Sequence, residues 1–438
     1  MIEVINNYLE KNNKSYFLYK KITDYASRIQ IKEKWTINKI IKYEKKWRYI
    51  NKKYKQINIY GMEFVGIGET IPRIFMYLKN KRNSRKDILE LILPTFFPYY
   101  SGGIFNEKVF EIFKKDINFI TKENIQFWLY AMIVHPVKIN IKNFDIYRHR
   151  EAEVFLIKEE KSKISFSKEI EVYAKEKMKN MGIKKEYICI HARENATKTK
   201  NFYKYMDTSI NDADVNSFKV ACNYMQKLDY QVVRMGKDES KECKIEDVID
   251  YANNYYDALM DFYLIANCKF LIGSSAGFTG IASFWGKPVL ITNLTVFCYG
   301  FEAFPVTEYN MYLPKKFYSK DKKRFLNLYE MLIMSNRCDR YKENFDREGI
   351  ELIDNSPEEI LKATIEINEK INNTWKKTEN ETAVMKKYWR IMNFWKKNHK
   401  TNITRKRCGA EGYQMVPFPI SYSFLKDNLW LMDIEELI

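Results

Sequence analysis

A run of small residues follows a short apolar stretch in Cys268-Lys269-Phe270-Leu271-Ile272-Gly273-Ser274-Ser275-Ala276-Gly277. The pattern predicts a strand that enters a tight turn and opens a helix at Gly277. Small residues in such a turn let backbone N–H groups and the positive end of the helix approach a phosphate group. The spacing matches neither the Walker loop nor the dinucleotide pattern G-x-G-x-x-G, which disfavours kinases and dehydrogenases. A close-packed turn without a ligand explains the spacing equally well.

Arginine side chains follow two other predicted strands. His191-Ala192-Arg193 follows the strand 186–190, and Arg234 lies at the end of the next strand along the chain. A guanidinium can bind a diphosphate through paired hydrogen bonds, and a histidine can donate to it or act as an acid or base. Because the carboxyl ends of parallel strands meet at one edge of a sheet, we expect Arg193, Arg234 and the 273–277 turn to form one pocket for an anionic leaving group. By itself, a His-x-Arg sequence after a strand is more often a surface feature.

Two carboxylates are candidates for further contacts with a substrate. Asp261 lies in the predicted helix 257–267, where it could accept hydrogen bonds from a ribose or a base. A solvent-exposed helix acid is the equally favoured alternative. Glu69 follows the predicted strand 61–65 and could act as the general base for an acceptor hydroxyl. Its position also suits an acid at a helix N-terminus, and we favour that interpretation.

Asp212-Ala213-Asp214 has the D-x-D spacing that can hold a divalent cation beneath a nucleotide diphosphate. Asp214 also stands where the predicted helix 214–228 requires an N-cap. We favour the cap and predict no metal site. The seven cysteines are scattered and include no C-x-x-C pair, which disfavours a zinc site and a disulfide framework.

The predicted elements that carry these residues alternate between strand and helix. In the second half, short apolar runs predict strands at 186–190, 230–235, 269–272 and 288–292, with helices at 214–228, 257–267 and 277–285. In the first half, strands are predicted at 61–65 and 87–93, and helices at 70–79 and 106–115. This alternation predicts the α/β class, with a mostly parallel sheet in each of two Rossmann-like halves.

The length of the chain favours more than one domain. A chain of 438 residues and 52.7 kDa exceeds what one hydrophobic core usually serves, and a hydrophobic fraction of 46% excludes a disordered protein. We predict four segments: a basic aromatic N-terminal extension (1–58), an N-terminal Rossmann-like domain (59–175), a C-terminal Rossmann-like domain (176–375), and a C-terminal helix and tail that pack back on the domains (376–438).

The positive charge of the chain is concentrated near its start. The net charge is +18, and residues 1–60 hold 15 Lys and Arg against 5 Asp and Glu. Between residues 29 and 60, aromatic and apolar residues interleave with lysines, as on a basic helix lying on an anionic membrane. An ordinary helix that docks through its aromatic stripe is the favoured alternative. With no signal segment and no apolar stretch long enough to span a bilayer, we expect a cytoplasmic protein, peripheral on the inner face of the membrane if that helix binds lipid.

A series of these motifs resembles a family of bacterial glycosyltransferases associated with surface-carbohydrate biosynthesis. The resemblance covers roughly residues 183–365, over which the order and spacing of the motifs match the family. The matching motifs are His191-Ala192-Arg193-Glu194, Asn211-Asp212-Ala213-Asp214-Val215, Val233-Arg234-Met235-Gly236, Asp250-Tyr251-Ala252, Asp261-Phe262-Tyr263-Leu264, the 268–277 segment and Gly286-Lys287-Pro288. The His-x-Arg element and the small-residue loop are also similar to the donor-site motifs of α-1,6-fucosyltransferases.

The resemblance implies the GT-B architecture, in which two facing Rossmann-like domains bind a nucleotide-sugar donor and a glycan or lipid-linked acceptor without an obligatory metal. It implies a surface polysaccharide or glycolipid acceptor, and the similarity to α-1,6-fucosyltransferases implies inversion at the anomeric carbon. We expect a GDP- or UDP-sugar as the donor. In the donor site, His191 and Arg193 would contact the diphosphate and Asp261 the nucleoside. The phosphates would also meet the small-residue turn, through Gly273, Ser274, Ser275 and Gly277.

The sequence departs from the family pattern at three positions. Glu194 stands where the family usually has aspartate, Asn211 where it has arginine, and Ala276 where it has a second serine. Loss of the arginine removes one candidate phosphate ligand. Two alternatives therefore stay open: a carbohydrate-binding protein on a degenerate glycosyltransferase fold, and a non-enzymatic polyanion binder that uses the basic segment. Nucleic acid is not the expected partner, because the sequence contains no recognisable nucleic-acid-binding module.

Overall fold

The computed structural model describes residues 36–63, 67–81, 85–95, 108–121, 124–143, 165–194, 207, 209–237, 241–295, 307–338, 341–398 and 419–434. Its chain divides into two compact units, Met1–Ile146 and Tyr147–Ile438. The α/β class predicted from the sequence is confirmed, because each unit contains a parallel sheet accompanied by helices.

The sheet of the first unit has three parallel strands. They are β1 (Gln56–Glu63), β2 (Ile88–Thr95) and β3 (Ile139–Asn143), in the order β2-β1-β3. β1 begins earlier than the predicted strand 61–65, because polar residues in its first half hide it in the sequence pattern. Those residues are satisfied within the sheet: Asn58 donates to the hydroxyl oxygen of Tyr60, and that hydroxyl donates to Glu90 of β2.

Helices precede and follow the strands of the first unit along the chain. In the described residues they are α1 (Ile37–Lys53), α2 (Ile67–Lys81), α3 (Lys108–Phe113) and α4 (Ile125–Val134). Glu69 is the third residue of α2 and so lies in its first turn, as the helix N-terminus interpretation expected.

α1 is held to the first unit by its aromatic face. Trp47 and Ile50 of α1 are buried in one apolar cluster with Phe127 of α4, and the ring of Tyr43 packs edge-on against Phe127 at a centroid distance of 5.8 Å. The second part of the predicted extension 1–58 therefore contributes to the core of this unit, as the docking alternative expected.

The second unit is built on six parallel strands in the order β6-β5-β4-β7-β8-β9. The strands are β4 (Tyr187–His191), β5 (Gln231–Arg234), β6 (Val248–Asp250), β7 (Leu271–Ser274), β8 (Val289–Leu294) and β9 (Met311–Pro314). Relative to chain order, this is the 3-2-1-4-5-6 arrangement of a doubly wound Rossmann sheet. The short apolar runs predicted β4, β5, β7 and β8, and they missed β6 and β9.

Helices and a small antiparallel sheet complete the second unit. The helices are α5 (Lys168–Asn180), α6 (Lys219–Lys227), α7 (Tyr251–Asn254), α8 (Met260–Asn267), α9 (Gly277–Gly280), α10 (Leu328–Cys338), α11 (Lys342–Arg347), α12 (Pro357–Ile371), α13 (Glu379–Asn398) and α14 (Tyr422–Asp427). The small sheet consists of β10 (Lys316–Ser319), β11 (Arg324–Phe325) and β12 (Ile350–Ile353), in the order β11-β10-β12.

The division between the units differs from the predicted boundary at 175/176. That boundary falls inside α5, and the compact units divide between Ile146 and Tyr147. Side chains of α5 belong to the second unit: the hydroxyl of Tyr173 donates to Asp257, and Nζ of Lys177 lies 3.7 Å from the same carboxylate.

The C-terminal tail packs on the second unit through a buried carboxylate. Ile420 forms a parallel bridge with Tyr312 of β9, which continues the sheet at its edge. The buried side chain of Glu366 in α12 accepts hydrogen bonds from Oγ of Ser421 at 2.6 Å and from the backbone N of Ser423 at 2.8 Å. Nζ of Lys370 donates to Glu366 at 2.7 Å. One carboxylate of α12 therefore anchors the first turn of α14.

We expect Glu366→Gln to lower the free energy of unfolding by about 1–3 kcal/mol, since it leaves buried donors without their charged acceptor. Burial alone would raise the pKa of Glu366, but Lys370 and the hydrogen bonds outweigh it and lower the pKa. This stabilisation is therefore complete above the carboxyl's unfolded pKa and is lost as pH falls through the lower folded pKa. Chemical denaturation over an acidic pH series measures both effects, with the exposed Glu351→Gln as control. Equal stability of Glu366→Gln and wild type would contradict the anchoring role.

Candidate functional site

The six-stranded sheet has a topological switch point between β4 and β7. From β4 the chain builds β5 and β6 on one side, and from β7 it builds β8 and β9 on the other. In open parallel sheets, ligands bind in the crevice outside the carboxyl ends of the strands at such a point. His191, the last residue of β4, is paired with Gly273 of β7. The structure therefore brings the His191–Arg193 motif and the small-residue turn together at this crevice.

Gly273 allows a close approach between β7, β4 and α9. A Cβ atom at this position would lie 2.6 Å from Oγ1 of Thr279 and 2.9 Å from the carbonyl oxygen of His191. Separations below about 3 Å are repulsive for a Cβ atom, so any side chain would force the elements apart. The glycine thus sets the spacing of the crevice floor.

Ser274 fixes the chain that leaves β4. Its buried hydroxyl oxygen accepts a hydrogen bond of 2.7 Å from the backbone N of Arg193. Beyond Ser274, the side chain of Ser275 is half-buried and Gly277 is exposed. The helix predicted at 277–285 is a single α turn, α9, which continues as a 3-10 turn over Ile281–Trp285. The backbone donors that could meet a phosphate are therefore those of one short turn, so we assign little to a helix dipole.

His191 is a neutral hydrogen-bonding group in this setting. Nδ1 of His191 lies 3.2 Å from Oγ1 of Thr279, and its ring packs against Phe278 at a centroid distance of 4.7 Å. Burial, reinforced by the positive charges of Arg234 and Arg193, lowers the pKa of His191 to about 4. At neutral pH the imidazole therefore adds no positive charge to the crevice.

Arg193 lies at the crevice and contacts an acidic residue. Its side chain is 23% exposed, and Nη1 lies 3.0 Å from Oδ1 of Asp212. The backbone N of Ala213 donates to the carbonyl oxygen of Arg193 at 2.9 Å, which ties the 212–213 segment to the end of β4. A guanidinium beside the switch point is placed where an anionic ligand would meet it.

Arg234 occupies a different position from the one predicted. Its side chain is 2% exposed, with Nη2 at 3.0 Å from Oε1 of Glu194 and Nη1 at 3.1 Å from Oδ2 of Asp250. The two carboxylates engage the guanidinium within the fold, and removing either would leave a buried charge without its partner. Arg234 therefore holds the Glu194 segment in place, and its guanidinium is buried against two carboxylates where the sequence predicted a contact with the diphosphate.

Asp261 is likewise buried, in the first turn of α8. Its Oδ1 accepts a 2.9 Å hydrogen bond from the hydroxyl of Tyr251. Burial raises the pKa of Asp261 to about 8, despite this hydrogen bond, with the neighbouring Asp257 adding to the rise. The carboxyl is thus protonated at neutral pH and sits against protein, which differs from the predicted contact with a nucleoside.

The two carboxylates of the D-x-D sequence have different contacts in the structure. Asp214 caps the 3-10 helix Val215–Phe218 by accepting from the backbone N of Asn216 at 3.0 Å, as the cap interpretation expected. Asp212 faces Arg193. In the described ranges, no group of three or more His, Cys, Asp or Glu side chains could hold a metal ion.

Other residues were missed or lie elsewhere. No sequence pattern indicates Thr279, whose role depends on the close approach at Gly273. None indicates the Arg193–Asp212 contact either, because it joins distant parts of the chain. Glu69 lies in the first unit, and its side chain is outside what the structure describes.

A cavity of about 380 Å³ in the second unit opens at the amino-terminal ends of β4 and β7, the edge opposite the crevice.

We expect Gly273→Ala to lower the free energy of unfolding by about 1–3 kcal/mol, because the new methyl group would overlap Thr279 and the carbonyl of His191. Adding Thr279→Ala to the same chain should recover part of the loss, since it removes two of the overlapping atoms. Ser275→Ala is the control, because it adds no atom to the turn. Chemical denaturation measures all four proteins. An alanine at 273 that leaves stability unchanged would contradict the close packing.

Compared with models of protein families and with curated proteins, the sequence matches none. Solved structures include chains of similar fold. A family 9 glycosyl transferase from Veillonella parvula DSM 2008 is 12% identical, with a TM-score of 0.34, over 55% of this chain and 81% of that chain.

Two Escherichia coli proteins are similar to a comparable degree. The iron-containing dodecameric glycosyltransferase TibC, from strain H10407, is 10% identical with a TM-score of 0.36, over 73% of this chain and 79% of its own. The ADP-heptose lipopolysaccharide heptosyltransferase II is 12% identical with a TM-score of 0.29, over 54% of this chain and 84% of its own. At these values the similarities assign no role to any residue here, and the crevice is interpreted from its own geometry.

Proposed function

We propose that this chain is a glycosyltransferase that moves a sugar from a nucleotide-activated donor to a surface polysaccharide or glycolipid acceptor. The observation that carries the proposal is the meeting of Arg193 with the small-residue turn at the switch point of a doubly wound sheet. This is the edge at which such sheets bind nucleotides. The turn lacks the dinucleotide pattern G-x-G-x-x-G, so hydride-transfer enzymes are disfavoured.

The donor diphosphate would lie over the crevice, with Arg193 as its main cationic contact. When the sugar leaves, negative charge builds on the departing diphosphate, and donors fixed in advance at that point lower the barrier. The backbone of Arg193 is fixed at this point, because its N is bonded to Ser274 and its carbonyl to Ala213. Backbone N–H groups at 275–277 would add neutral donors, and His191 would contribute hydrogen bonding without charge.

Several finer features of the reaction belong to the same proposal. The donor would be a GDP- or UDP-sugar, the transfer would invert the anomeric carbon, and no metal would be required. The cap formed by Asp214 supports the absence of a required metal, because only one carboxylate of the D-x-D sequence is then left to bind a cation. Glu69 is the candidate for the general base that deprotonates the acceptor hydroxyl, and its position in the sequence is the sole support for this role.

We expect one class of nucleotide sugar, among UDP-, GDP-, CMP- and dTDP-sugars tested with and without Mg²⁺, to raise the melting temperature. Ligand at a hundredfold excess over its dissociation constant stabilises a folded protein by about 2.7 kcal/mol. Arg193→Ala should abolish this shift and leave the unliganded melting temperature nearly unchanged, because its side chain is partly exposed. Arg337→Ala, at an exposed ion pair with Glu348, is the matched control.

A shift that survives in Arg193→Ala would show that the donor site lies elsewhere. Binding to RNA or DNA with a steep salt dependence, and no response to any nucleotide sugar, would instead favour the polyanion-binding alternative.

The same proposal includes peripheral attachment to an anionic membrane on the cytoplasmic side, through α1. While Trp47 and Ile50 bind the first unit, Ile37 and Ile41 are 77% and 49% exposed. Exposed basic residues flank them on the outward side of the helix, including Lys42 and Lys45. Basic residues with exposed apolar neighbours favour binding to anionic headgroups. Among the helices of the described ranges, none is long and apolar enough to cross a bilayer.

We expect Lys42→Gln with Lys45→Gln to weaken binding to phosphatidylglycerol-containing vesicles by about 2 kcal/mol, since each basic residue near such a surface contributes about 1 kcal/mol. Vesicle co-sedimentation measures the change, with vesicles of phosphatidylcholine alone as the uncharged reference. The exposed pair Lys376→Gln and Lys377→Gln removes the same charge elsewhere and serves as the control. Equal binding of both double variants would show that α1 is not the contact surface.

A further inference from the structure

Asp212 lies on a segment that is fixed across the crevice edge of the sheet. The segment begins with the 3-10 turn Ser209–Asn211. Oγ1 of Thr295, just after β8, donates to the carbonyl oxygen of Ile210 at 3.1 Å. On the other side, the backbone N of Ala213 donates to the carbonyl oxygen of Arg193. Asp212 is thus held between the ends of β4 and β8, at the edge where Arg193 emerges.

The contact between Asp212 and Arg193 is close but poorly aligned. Nη1 of Arg193 lies 3.0 Å from Oδ1 of Asp212, and the aspartate side chain is 18% exposed. That oxygen atom is buried, and it has no partner with hydrogen-bond geometry among the described residues. A buried carboxylate oxygen without an aligned donor is costly, because charge attraction alone offsets its loss of water. The pair is therefore poised to separate when a better-aligned anion arrives.

Other charges surround the same carboxylate. Lys315, the buried residue after β9, and Lys241 attract it, and Asp207 repels it. Nζ of Lys315 already lies 2.7 Å from Oδ1 of Asp354, so its charge is shared. Burial raises the pKa of Asp212, although Arg193 and Lys315 oppose the rise. The surroundings therefore stabilise the ionised carboxylate incompletely.

We propose that Asp212 competes with the diphosphate for Arg193, weakening the binding of the leaving nucleoside diphosphate more than that of the nucleotide sugar and so favouring product release. This inference rests on the proposed function, since it assumes a diphosphate at the crevice. The leaving nucleoside diphosphate carries one more ionised oxygen than the sugar-linked donor. A fixed carboxylate beside Arg193 therefore repels the product more strongly than the donor.

The test compares Asp212→Asn with wild type by titration calorimetry, with inorganic pyrophosphate, UDP, GDP and their sugar-linked forms as probes. Asparagine keeps the shape of the side chain and removes its charge. We expect pyrophosphate and the preferred nucleoside diphosphate to bind about tenfold more tightly, which corresponds to about 1.4 kcal/mol, with a smaller gain for the nucleotide sugar. Asp212→Ser should change affinity in the same direction. Asp214→Asn removes the neighbouring charge, which serves as a helix cap, and should leave affinity unchanged.

A double-mutant cycle with Arg193→Ala, titrated with pyrophosphate at concentrations high enough to saturate the weakened variants, separates competition from positioning. If Asp212 competes for the guanidinium, the gain from Asp212→Asn shrinks when Arg193 is absent. If Asp212→Asn weakens binding as Arg193→Ala does, the carboxylate positions the arginine and the proposal is overturned. Unchanged affinity for pyrophosphate and nucleotides, or binding by neither protein, overturns it as well.

The outcomes also distinguish this inference from the proposed function. Tighter pyrophosphate binding in Asp212→Asn, without hydrolysis or transfer of any nucleotide sugar, would contradict the glycosyltransferase and keep the competition. Nucleotide-sugar turnover, with no gain in product affinity for Asp212→Asn, would contradict the competition and keep the glycosyltransferase.

Discussion

The close approach of β7 to β4 and α9 at Gly273 is the constraint on which the candidate site depends. There is no room for a side chain between the end of β7, the carbonyl of His191 and Thr279. Because the elements are this close, Thr279 reaches the imidazole of His191, and Ser274 reaches the backbone of Arg193. The orientation of the residues after β4 thus follows from packing in the sheet, before any ligand contributes.

Two arginines follow neighbouring strands, but their different burial gives them different roles. Arg234 ends β5 inside the sheet edge, where Asp250 of β6 and Glu194 enclose it. Arg193 lies beyond the last residue of β4, where Asp212 is placed against its guanidinium at ion-pair distance. In the sequence, Arg193 and Arg234 look alike, because each is a basic residue at the end of a strand. Register and the position of the acids decide which arginine an incoming anion can reach.

The sequence predicted the parts of the structure that depend on local pattern. Short apolar runs identified β4, β5, β7 and β8, since strands buried on both faces must be apolar throughout. The pattern missed β6, whose strand covers only Val248–Asp250, and the first half of β1, where Asn58 donates to Tyr60 and Tyr60 donates to Glu90. Contacts between distant segments could not be predicted, because a local pattern carries no information about them. The burial of Asp261 against Tyr251 and the contact of Asp212 with Arg193 depend on how separate elements pack.

The charge available at the crevice is smaller than the number of basic residues suggests. His191 is neutral at ordinary pH, because burial and the two neighbouring arginines disfavour its protonated form. Arg234 is neutralised by its two carboxylates, and Lys315 shares its charge with Asp354. Arg193 lies at the end of β4, and Asp212 offsets part of its charge. A transferase needs to stabilise the diphosphate as it departs and then to release it, and a site with a partly compensated arginine meets both requirements better than a fully cationic one.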